Sequence, residues 1–371
     1  MKVMHLTLSD GVGGLELYLL RSVAALSQAG HEVVAVVAPG TLLQQRLRAM
    51  SLPFLLLTSS FYRLPLLAAW RLARLLEEQQ IDILHLHWAK DLLLGVLAKR
   101  LSKRPVRLVF TRQMMLTRPK RDIYHRFLYR HVDLYLTITQ QLTELAQQFL
   151  PLAKRRIQTL YYGVEAPLPL TPAQRQQWRQ QLGAAEEGQF LVGLVGRLEA
   201  SKGQHLLLQA VAALAGEFPQ LHLCFIGPQM NSHYLDELQQ LAQHLGVSGQ
   251  VTFYGAHPNP VALMAAFEVL VLASKEETFG LVLIEAMRAG VAVIGSHAGG
   301  VPEIIDEGEN GLTFHPAAAD DLARQLRRLL LDTALRQRLA TAGQAKADRC
   351  FNHELHYQRL WQHYTQTTLE I

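Results

Sequence analysis

The chain has 371 residues, of which 49% are hydrophobic, and a net charge of +5 at pH 7. This length is too great for one ordinary domain and fits two of about 150–200 residues each. The sequence has no run of about 18 apolar residues, which argues against a membrane-spanning helix, and its first residues lack the apolar core of a signal peptide. Two distant cysteines, Cys224 and Cys350, predict neither a disulfide framework nor a zinc site. We therefore expect a cytoplasmic protein.

The charge is distributed unevenly along the chain. Residues 1–165 hold 22 lysines and arginines against 11 acidic residues, a net +11, whereas the remainder carries −6. The densest part, Lys99–Arg130, contains eleven cations and one acidic residue, Asp122. Such a half attracts anionic lipid head groups, phosphorylated glycans or nucleic acid. Because no nucleic-acid-binding motif accompanies the charge, we do not expect nucleic acid as a partner.

Apolar strands alternate with helical stretches along the whole chain. The predicted strands are Val3–Ser9, Glu32–Ala38, Phe54–Thr58, Ile83–His87, Arg107–Thr111, Leu134–Thr139, Ile157–Tyr161, Phe190–Val195, Leu221–Ile226, Val251–Tyr254, Val269–Ala273, Val291–Gly295 and Leu312–Phe314. The alternation predicts α/β architecture with doubly wound parallel sheets, and Pro167–Pro169 indicates a linker. We expect a first domain over 1–165, a second over 166–345, and a C-terminal segment, 346–371, whose helix crosses back to the first domain.

A glycine-rich loop, Gly11–Gly14, follows the first strand at the carboxyl edge of the sheet, where ligands bind in such folds. Glu16 occupies the third glycine position of the dinucleotide fingerprint, which argues against NAD. Glycine at positions 13 and 14 is explained either by contact with a ligand or by a tight turn that requires glycine. His87 and Arg112 stand at the ends of two further strands, where each could reach a ligand or have a structural role.

Two cations follow the first strand of the second domain. Negative charge that develops on a phosphate group needs fixed cations or a metal to stabilise it. Arg197 offers a planar fork for phosphate oxygens, and Lys202 offers a mobile point charge. The sequence has no Asp-x-Asp triplet, so it predicts no metal at a diphosphate. Two solvated loop charges are the alternative interpretation.

The stretch Ser274–Gly290 joins a buried strand to a helix that is predicted over Leu281–Ala289. The first N–H groups of a helix bind anions well, and Gly280 permits close approach to the backbone. Glu277 precedes the helix and Glu285 lies inside it. The two carboxylates either bracket a sugar nucleotide or are a helix-end charge and a solvated helix residue.

Seven residues separate Glu277 from Glu285, and the whole stretch resembles the Glu-x7-Glu motif of retaining GT-B glycosyltransferases, in the form found in family 4. Charge spacing, Phe279-Gly280 and the glycine before the next strand all coincide. The resemblance implies a GT-B fold, in which two Rossmann-like parallel-sheet domains face each other across a cleft. The second domain carries the motifs of the family, whereas the first domain resembles it mainly in the order of its strands and helices.

The resemblance also implies roles for the candidate residues. Glu277 would orient the transferred sugar, and Glu285 would bind ribose hydroxyls. The donor diphosphate would be held by Arg197, Lys202, Gly280, Leu281, Gly13 and Gly14. No protein nucleophile is needed, because the leaving phosphate accepts the proton of the incoming hydroxyl in retaining members. We expect a UDP- or GDP-linked hexose as donor, with no cofactor and no metal.

The expected acceptor is a cell-envelope glycan or glycolipid of the lipopolysaccharide-core kind. Many relatives carry Thr-x-His after the fifth strand, where this chain reads Thr111-Arg112-Gln113 and lacks the histidine. Arg112 and His87 would then contact the acceptor. The basic first domain, with aromatic and basic residues over Phe61–Arg74, predicts reversible docking on the inner face of the cell membrane. The alternative is a solvated basic face with Trp70 in the core.

Two other functions are alternatives to a glycosyltransferase. A GT-B-shaped nucleotide-sugar epimerase stays open, and a basic nucleic-acid-binding protein is a weaker alternative.

Overall fold

The computed structural model describes residues 1–11, 13–59, 65–186, 188–230 and 232–366. These residues form two compact units. The first contains Met1–Tyr161 together with the chain from Glu354 onward, and the second contains Tyr162–His353. The segment 61–64, which entered the membrane-docking prediction, lies outside the described residues.

The first unit is built on a parallel sheet that has seven strands in the described residues. Its strands are β1 (Lys2–Thr7), β2 (Glu32–Val37), β3 (Phe54–Leu56), β4 (Ile83–Leu86), β5 (Arg107–Arg112), β6 (Leu134–Thr137) and β7 (Ile157–Thr159). Their order in the sheet is β3-β2-β1-β4-β5-β6-β7. The helices between them are α1 (Gly14–Gln28), α2 (Leu42–Ala49), α3 (Leu66–Glu78), α4 (Leu92–Leu101), α5 (Ile123–Tyr129) and α6 (Gln140–Phe149). The strands are apolar along their length because helices cover both faces of a parallel sheet.

The second unit repeats this plan with six strands in the part of the chain that the structure describes. They are β8 (Phe190–Val195), β9 (Leu221–Ile226), β10 (Val251–Gly255), β11 (Val269–Leu272), β12 (Ala292–Ser296) and β13 (Leu312–Phe314), in the order β10-β9-β8-β11-β12-β13. The helices are α7 (Pro172–Gln181), α8 (Gln204–Leu214), α9 (Ser232–His244), α10 (Val261–Met264), α11 (Leu281–Arg288), α12 (Val301–Ile304), α13 (Ala319–Leu331) and α14 (Thr333–Cys350).

The last helix, α15 (His353–Gln366), supplies part of the core of the first unit. Its Tyr357, Leu360 and Tyr364 are buried in one cluster with α1 and with the strand residues of that sheet. The backbone carbonyl of Tyr364 accepts a hydrogen bond from Arg107 Nη1 at 2.7 Å. The helix is therefore an integral layer of the first unit.

Strand order reverses direction once in each sheet, between β1 and β4 in the first unit and between β8 and β11 in the second. In open α/β sheets, ligands bind beyond the carboxyl ends of the strands at this point. Two doubly wound parallel sheets confirm the predicted α/β architecture. Over the described ranges, no helix has the combined length and apolar character that crossing a membrane requires.

Candidate functional site

The loops that follow β8 and β11 meet at the carboxyl edge of the second sheet. The N–H of Lys275 donates to the carbonyl of Ser201 at 3.2 Å. Gly203 has a φ of +73°, and a Cβ there would lie 2.1 Å from the carbonyl oxygen of Ala273. A side chain at position 203 would therefore force the two loops apart, and glycine is required for their contact.

Lys202 and Glu277, both predicted as site residues, form an ion pair across these loops. Lys202 Nζ lies 3.0 Å from Glu277 Oε2, and the two side chains are 25% and 19% exposed. An ion pair in a partly desolvated position is stronger than one on an open surface. The pair places a mobile cation and a carboxylate side by side where the strand order reverses.

The backbone of Glu277 is fixed by a glycine pair that follows β12. The N–H of Gly300 donates to the Glu277 carbonyl at 2.9 Å. Gly299 has a φ of +58°, and a Cβ there would lie 1.8 Å from the same oxygen. Nearby, Ser296 Oγ donates to the Ser274 carbonyl at 2.5 Å. The segment that follows β12 thus fixes the backbone that carries the Glu277 carboxylate.

Helix α11 begins beside this loop, after Gly280. Gly280 has a left-handed backbone with φ +106°, and Leu281 and Glu285 stand one turn apart on α11. Residues i and i+4 share a helix face, so Glu285 lies on the face that Leu281 begins. The turn is anchored by Phe279, which is buried against Tyr162 and Phe351 in edge-to-face contacts at 5.4 and 5.9 Å.

Arg197 occupies the more exposed part of the loop after β8. Its Nη2 lies 3.0 Å from Glu199 Oε1, and 54% of its side chain is exposed. Ser201 Oγ donates to the same Glu199 oxygen at 2.8 Å. Arg197 is therefore held at the loop surface, where its remaining donors are accessible.

The glycine loop of the first unit is organised by Glu16, which sequence reasoning used only to argue against a dinucleotide cofactor. The buried Glu16 carboxylate accepts from the Gly13 N–H at 2.8 Å and from Ser9 Oγ at 2.5 Å. Gly14 opens helix α1. The Gly13 N–H, predicted to face the donor phosphates, is therefore already hydrogen-bonded within its own loop.

The two candidate acceptor residues lie in different surroundings within the first unit. His87 is 2% exposed, and its Nε2 is 2.9 Å from His5 Nδ1. Burial lowers the pKa of His87 well below its ordinary value. Arg112 is half-buried, and its Nε and Nη2 donate to the carbonyls of Met114 and Met115 at 2.6 and 2.7 Å. At least two of the donors of Arg112 therefore hold its own loop.

Asp91 is a further buried acid at the edge of the first sheet that sequence reasoning missed. Its Oδ2 accepts from the Leu8 N–H at 2.9 Å, and the residue is 1% exposed. Burial raises the pKa of Asp91 to about 7, although the Leu8 hydrogen bond opposes the shift. The carboxyl group links the end of β1 to the turn that precedes α4.

Two protein-family models match different parts of the chain. Residues 12–166 match the model for Glycosyltransferase Family 4, and residues 174–346 match the model for Glycosyl transferases group 1. Together with the two parallel-sheet units, similarity to solved GT-B structures confirms the GT-B fold. Family matches and structural similarity together support a glycosyltransferase of this class.

Individual relatives are similar over different lengths. The D-inositol 3-phosphate glycosyltransferase of Corynebacterium jeikeium (strain K411) is 36% identical over 39% of this chain and 36% of its own length. The lipopolysaccharide core biosynthesis glycosyltransferase LpsE of Rhizobium meliloti (strain 1021) is 35% identical over 40% of this chain and 42% of its own. The chain thus spans well under half of these two curated relatives. HepE of Anabaena, solved in complex with UDP, is 25% identical, covers 99% of this chain and 100% of its own, and superimposes with a TM-score of 0.88.

Proposed function

We propose that the chain is a retaining, metal-independent glycosyltransferase that moves a hexose from a UDP- or GDP-linked sugar to a cell-envelope glycan or glycolipid. The observation that carries the proposal is the Lys202–Glu277 pair beside the glycine that opens α11. This constellation lies in the unit that matches the group 1 family model. Structures of HepE with UDP and with UDP-glucose support a nucleotide-sugar donor.

Each part of the constellation has a task in sugar transfer. Lys202 has three N–H donors, so it can retain Glu277 while it binds a phosphate oxygen. Arg197 and the first N–H groups of α11 add positive potential where the leaving diphosphate gains charge. Glu277 orients the sugar beside the anomeric carbon, and Glu285 binds the ribose. The leaving phosphate accepts the proton of the attacking hydroxyl, so no side chain has to act as nucleophile.

A donor screen followed by one substitution tests the proposal. UDP- and GDP-sugars are first compared by thermal shift, because a true donor stabilises the folded chain by mass action. With that donor, Glu277→Ala should nearly abolish transfer while nucleoside diphosphate still binds. Glu276→Ala is the matched control, since this neighbouring exposed carboxylate should be dispensable. Wild-type transfer by Glu277→Ala, or interconversion of the free nucleotide sugar in place of transfer, would refute the proposal.

For the acceptor, we propose presentation at an anionic membrane surface. Around α5, the described residues expose Arg118, Arg121, Arg126 and Arg130. Large apolar side chains project among these cations: Met114, Ile123 and Tyr124 are 62%, 88% and 51% exposed. Exposed apolar residues in the same segment as exposed cations suit the interface of an anionic bilayer. The lipopolysaccharide-core relative supports an envelope glycan as the acceptor class.

Three other basic residues of Lys99–Arg130 are less available for docking. Lys99 pairs with Asp133 at 2.5 Å, Arg104 pairs with Asp82 at 2.9 Å, and Arg107 is buried. Trp70 does not lie in the core, as the alternative to docking expected, because half of this side chain is exposed and the Arg74 guanidinium lies 5.1 Å from its ring centroid.

Liposome flotation at low and high salt tests docking. The unmodified chain should float with vesicles that contain anionic lipid and should be released as salt screens the charges. Arg118→Glu with Arg121→Glu should abolish flotation. Arg46→Glu with Arg48→Glu is the control, because these exposed residues on α2 change the net charge equally. Equal flotation of both double variants, or none by the unmodified chain at low salt, would point to a soluble acceptor.

A further inference from the structure

Three histidine side chains meet inside the first unit. His5 on β1 and His85 on β4 are register partners on neighbouring parallel strands, and His87 follows β4 directly. The three residues are at most 2% exposed. Each can offer one ring nitrogen such that the three nitrogens lie within 4.8 Å of one another. We propose that this histidine cluster, His5–His85–His87, binds a divalent transition-metal ion of the zinc class.

Hydrogen bonds among the described residues do not satisfy every ring nitrogen of the cluster. His5 Nδ1 and His87 Nε2 are 2.9 Å apart, so one of them must carry the proton that the other accepts. The opposite nitrogens, His5 Nε2 and His87 Nδ1, have no hydrogen-bond partner among the described residues. Consequently no second bond fixes the tautomer of either ring. Both rings can place their protons on the outer nitrogens and turn both lone pairs toward one shared point.

An ion would replace the proton between these two rings. Zinc–imidazole bonds of about 2.0–2.1 Å in tetrahedral geometry require ligand nitrogens about 3.3–3.4 Å apart. The separation of 2.9 Å would therefore have to open by about 0.4 Å, with a tilt of the rings. This is a local side-chain adjustment that leaves the strands in register.

His85 supplies the third ligand and already has the supporting contacts of a metal-bound histidine. Its Nδ1 is 2.6 Å from the Tyr364 hydroxyl, and its Nε2 is 2.7 Å from Thr111 Oγ1. Metal-bound histidines coordinate through one nitrogen and are held by a hydrogen bond at the other. Whichever nitrogen of His85 binds the ion, the other keeps its partner.

The ligand set selects the class of ion. Three imidazoles suit zinc, copper, nickel or cobalt, whereas magnesium and calcium prefer carboxylate and carbonyl oxygens. Three protein ligands leave one tetrahedral position for a water molecule. Because Tyr364 belongs to α15, an ion here would tie the last helix to the sheet of the first unit. Its effect would be on stability, and it is separate from the proposed diphosphate chemistry.

Cobalt substitution tests the unmodified protein. After chelation and desalting, one equivalent of Co(II) should give the visible absorption of four-coordinate cobalt, and one equivalent of Zn(II) should displace it. Zinc should bind with a stoichiometry of one and raise the Tm. Featureless cobalt spectra, or zinc that leaves the Tm unchanged, would overturn the proposal without any substitution.

Variants then assign the site among the 16 histidines of the chain. His85→Gln should weaken zinc binding at least tenfold and remove the increase in Tm. His222→Gln is the matched control, because His222 is similarly buried and bonded to Thr252 at 2.9 Å in the second unit. If the two variants bind zinc equally well, the histidine cluster is not the site.

Discussion

Gly299→Ala should separate the positioning of Glu277 from the general stability of the second unit. The substitution places a Cβ 1.8 Å from the Glu277 carbonyl oxygen, whereas ordinary contacts begin at 3.4 Å. That oxygen belongs to the main chain, so relief requires a backbone shift of about 1.6 Å. The Gly300 hydrogen bond to the same oxygen would be lost in the process.

Gly299→Ala should lower the rate of transfer far more than it lowers the free energy of unfolding. Holding a residue with a Cβ at a φ of +58° costs roughly 1–2 kcal/mol of unfolding free energy. The lost Gly300 hydrogen bond adds about 0.5–1.5 kcal/mol. A displacement of about 1 Å at a reacting group can cost about 100-fold in rate. We therefore expect Gly299→Ala to lower kcat/KM for transfer about 100-fold while the chain remains folded.

A second glycine provides the control for backbone strain. Gly246 follows α9 with a φ of +72°, and a Cβ there would meet nothing within 4 Å. Gly246→Ala should lower the Tm through strain alone and leave transfer unchanged. The assay is transfer from the donor found by thermal shift, with the Tm of each variant measured in parallel. Equal activity of the two variants would refute the reasoning that Gly299 positions Glu277.

Three further outcomes follow from the described contacts. Transfer at 25 °C should survive EDTA, because the proposed mechanism has Arg197 and Lys202 supply the charge at the diphosphate. Loss of transfer that magnesium or manganese restores would contradict this. Glu285→Ala should weaken nucleoside diphosphate binding about tenfold or more in calorimetry, as expected for one lost charged hydrogen bond; unchanged affinity would refute the ribose contact. The raised pKa of Asp91 keeps an extra proton on the folded chain, so its contribution to unfolding free energy falls between about pH 4 and 7. Asp91→Asn should remove that slope in urea titrations, and an unchanged slope would contradict it.

The sheet strands were predictable because their sequences leave few alternatives. Runs such as Val269–Leu272 are apolar at every position, as a strand covered on both faces requires, and the predicted strands of the two sheets are confirmed to within a few residues. The alternation with helices then determined the doubly wound class. Helix α9, with its polar exposed face, was not predicted as an element.

The candidate site was only partly readable from sequence, because its geometry depends on contacts between distant segments. Lys202 and Glu277 were each singled out, but a spacing of 75 residues gives no sign that they pair. The close approach of Gly299 to the Glu277 carbonyl can be seen only in the coordinates. His5 lies in an apolar strand and gave no signal by itself. The His-x-His spacing of His85 and His87 was the available clue to the histidine cluster.

The Lys202–Glu277 pair has a consequence for how donor binding and transfer are coupled. In the donor-free chain, Glu277 offsets the charge of Lys202 at 3.0 Å, so removing one partner leaves the other partly buried and uncompensated. Glu277→Ala would then leave Lys202 with its full charge for the diphosphate, and nucleotide affinity should hold or rise even as transfer fails. In the proposed mechanism, a cation that keeps its carboxylate partner and also donates to phosphate would link recognition of the leaving group to the side chain that orients the sugar.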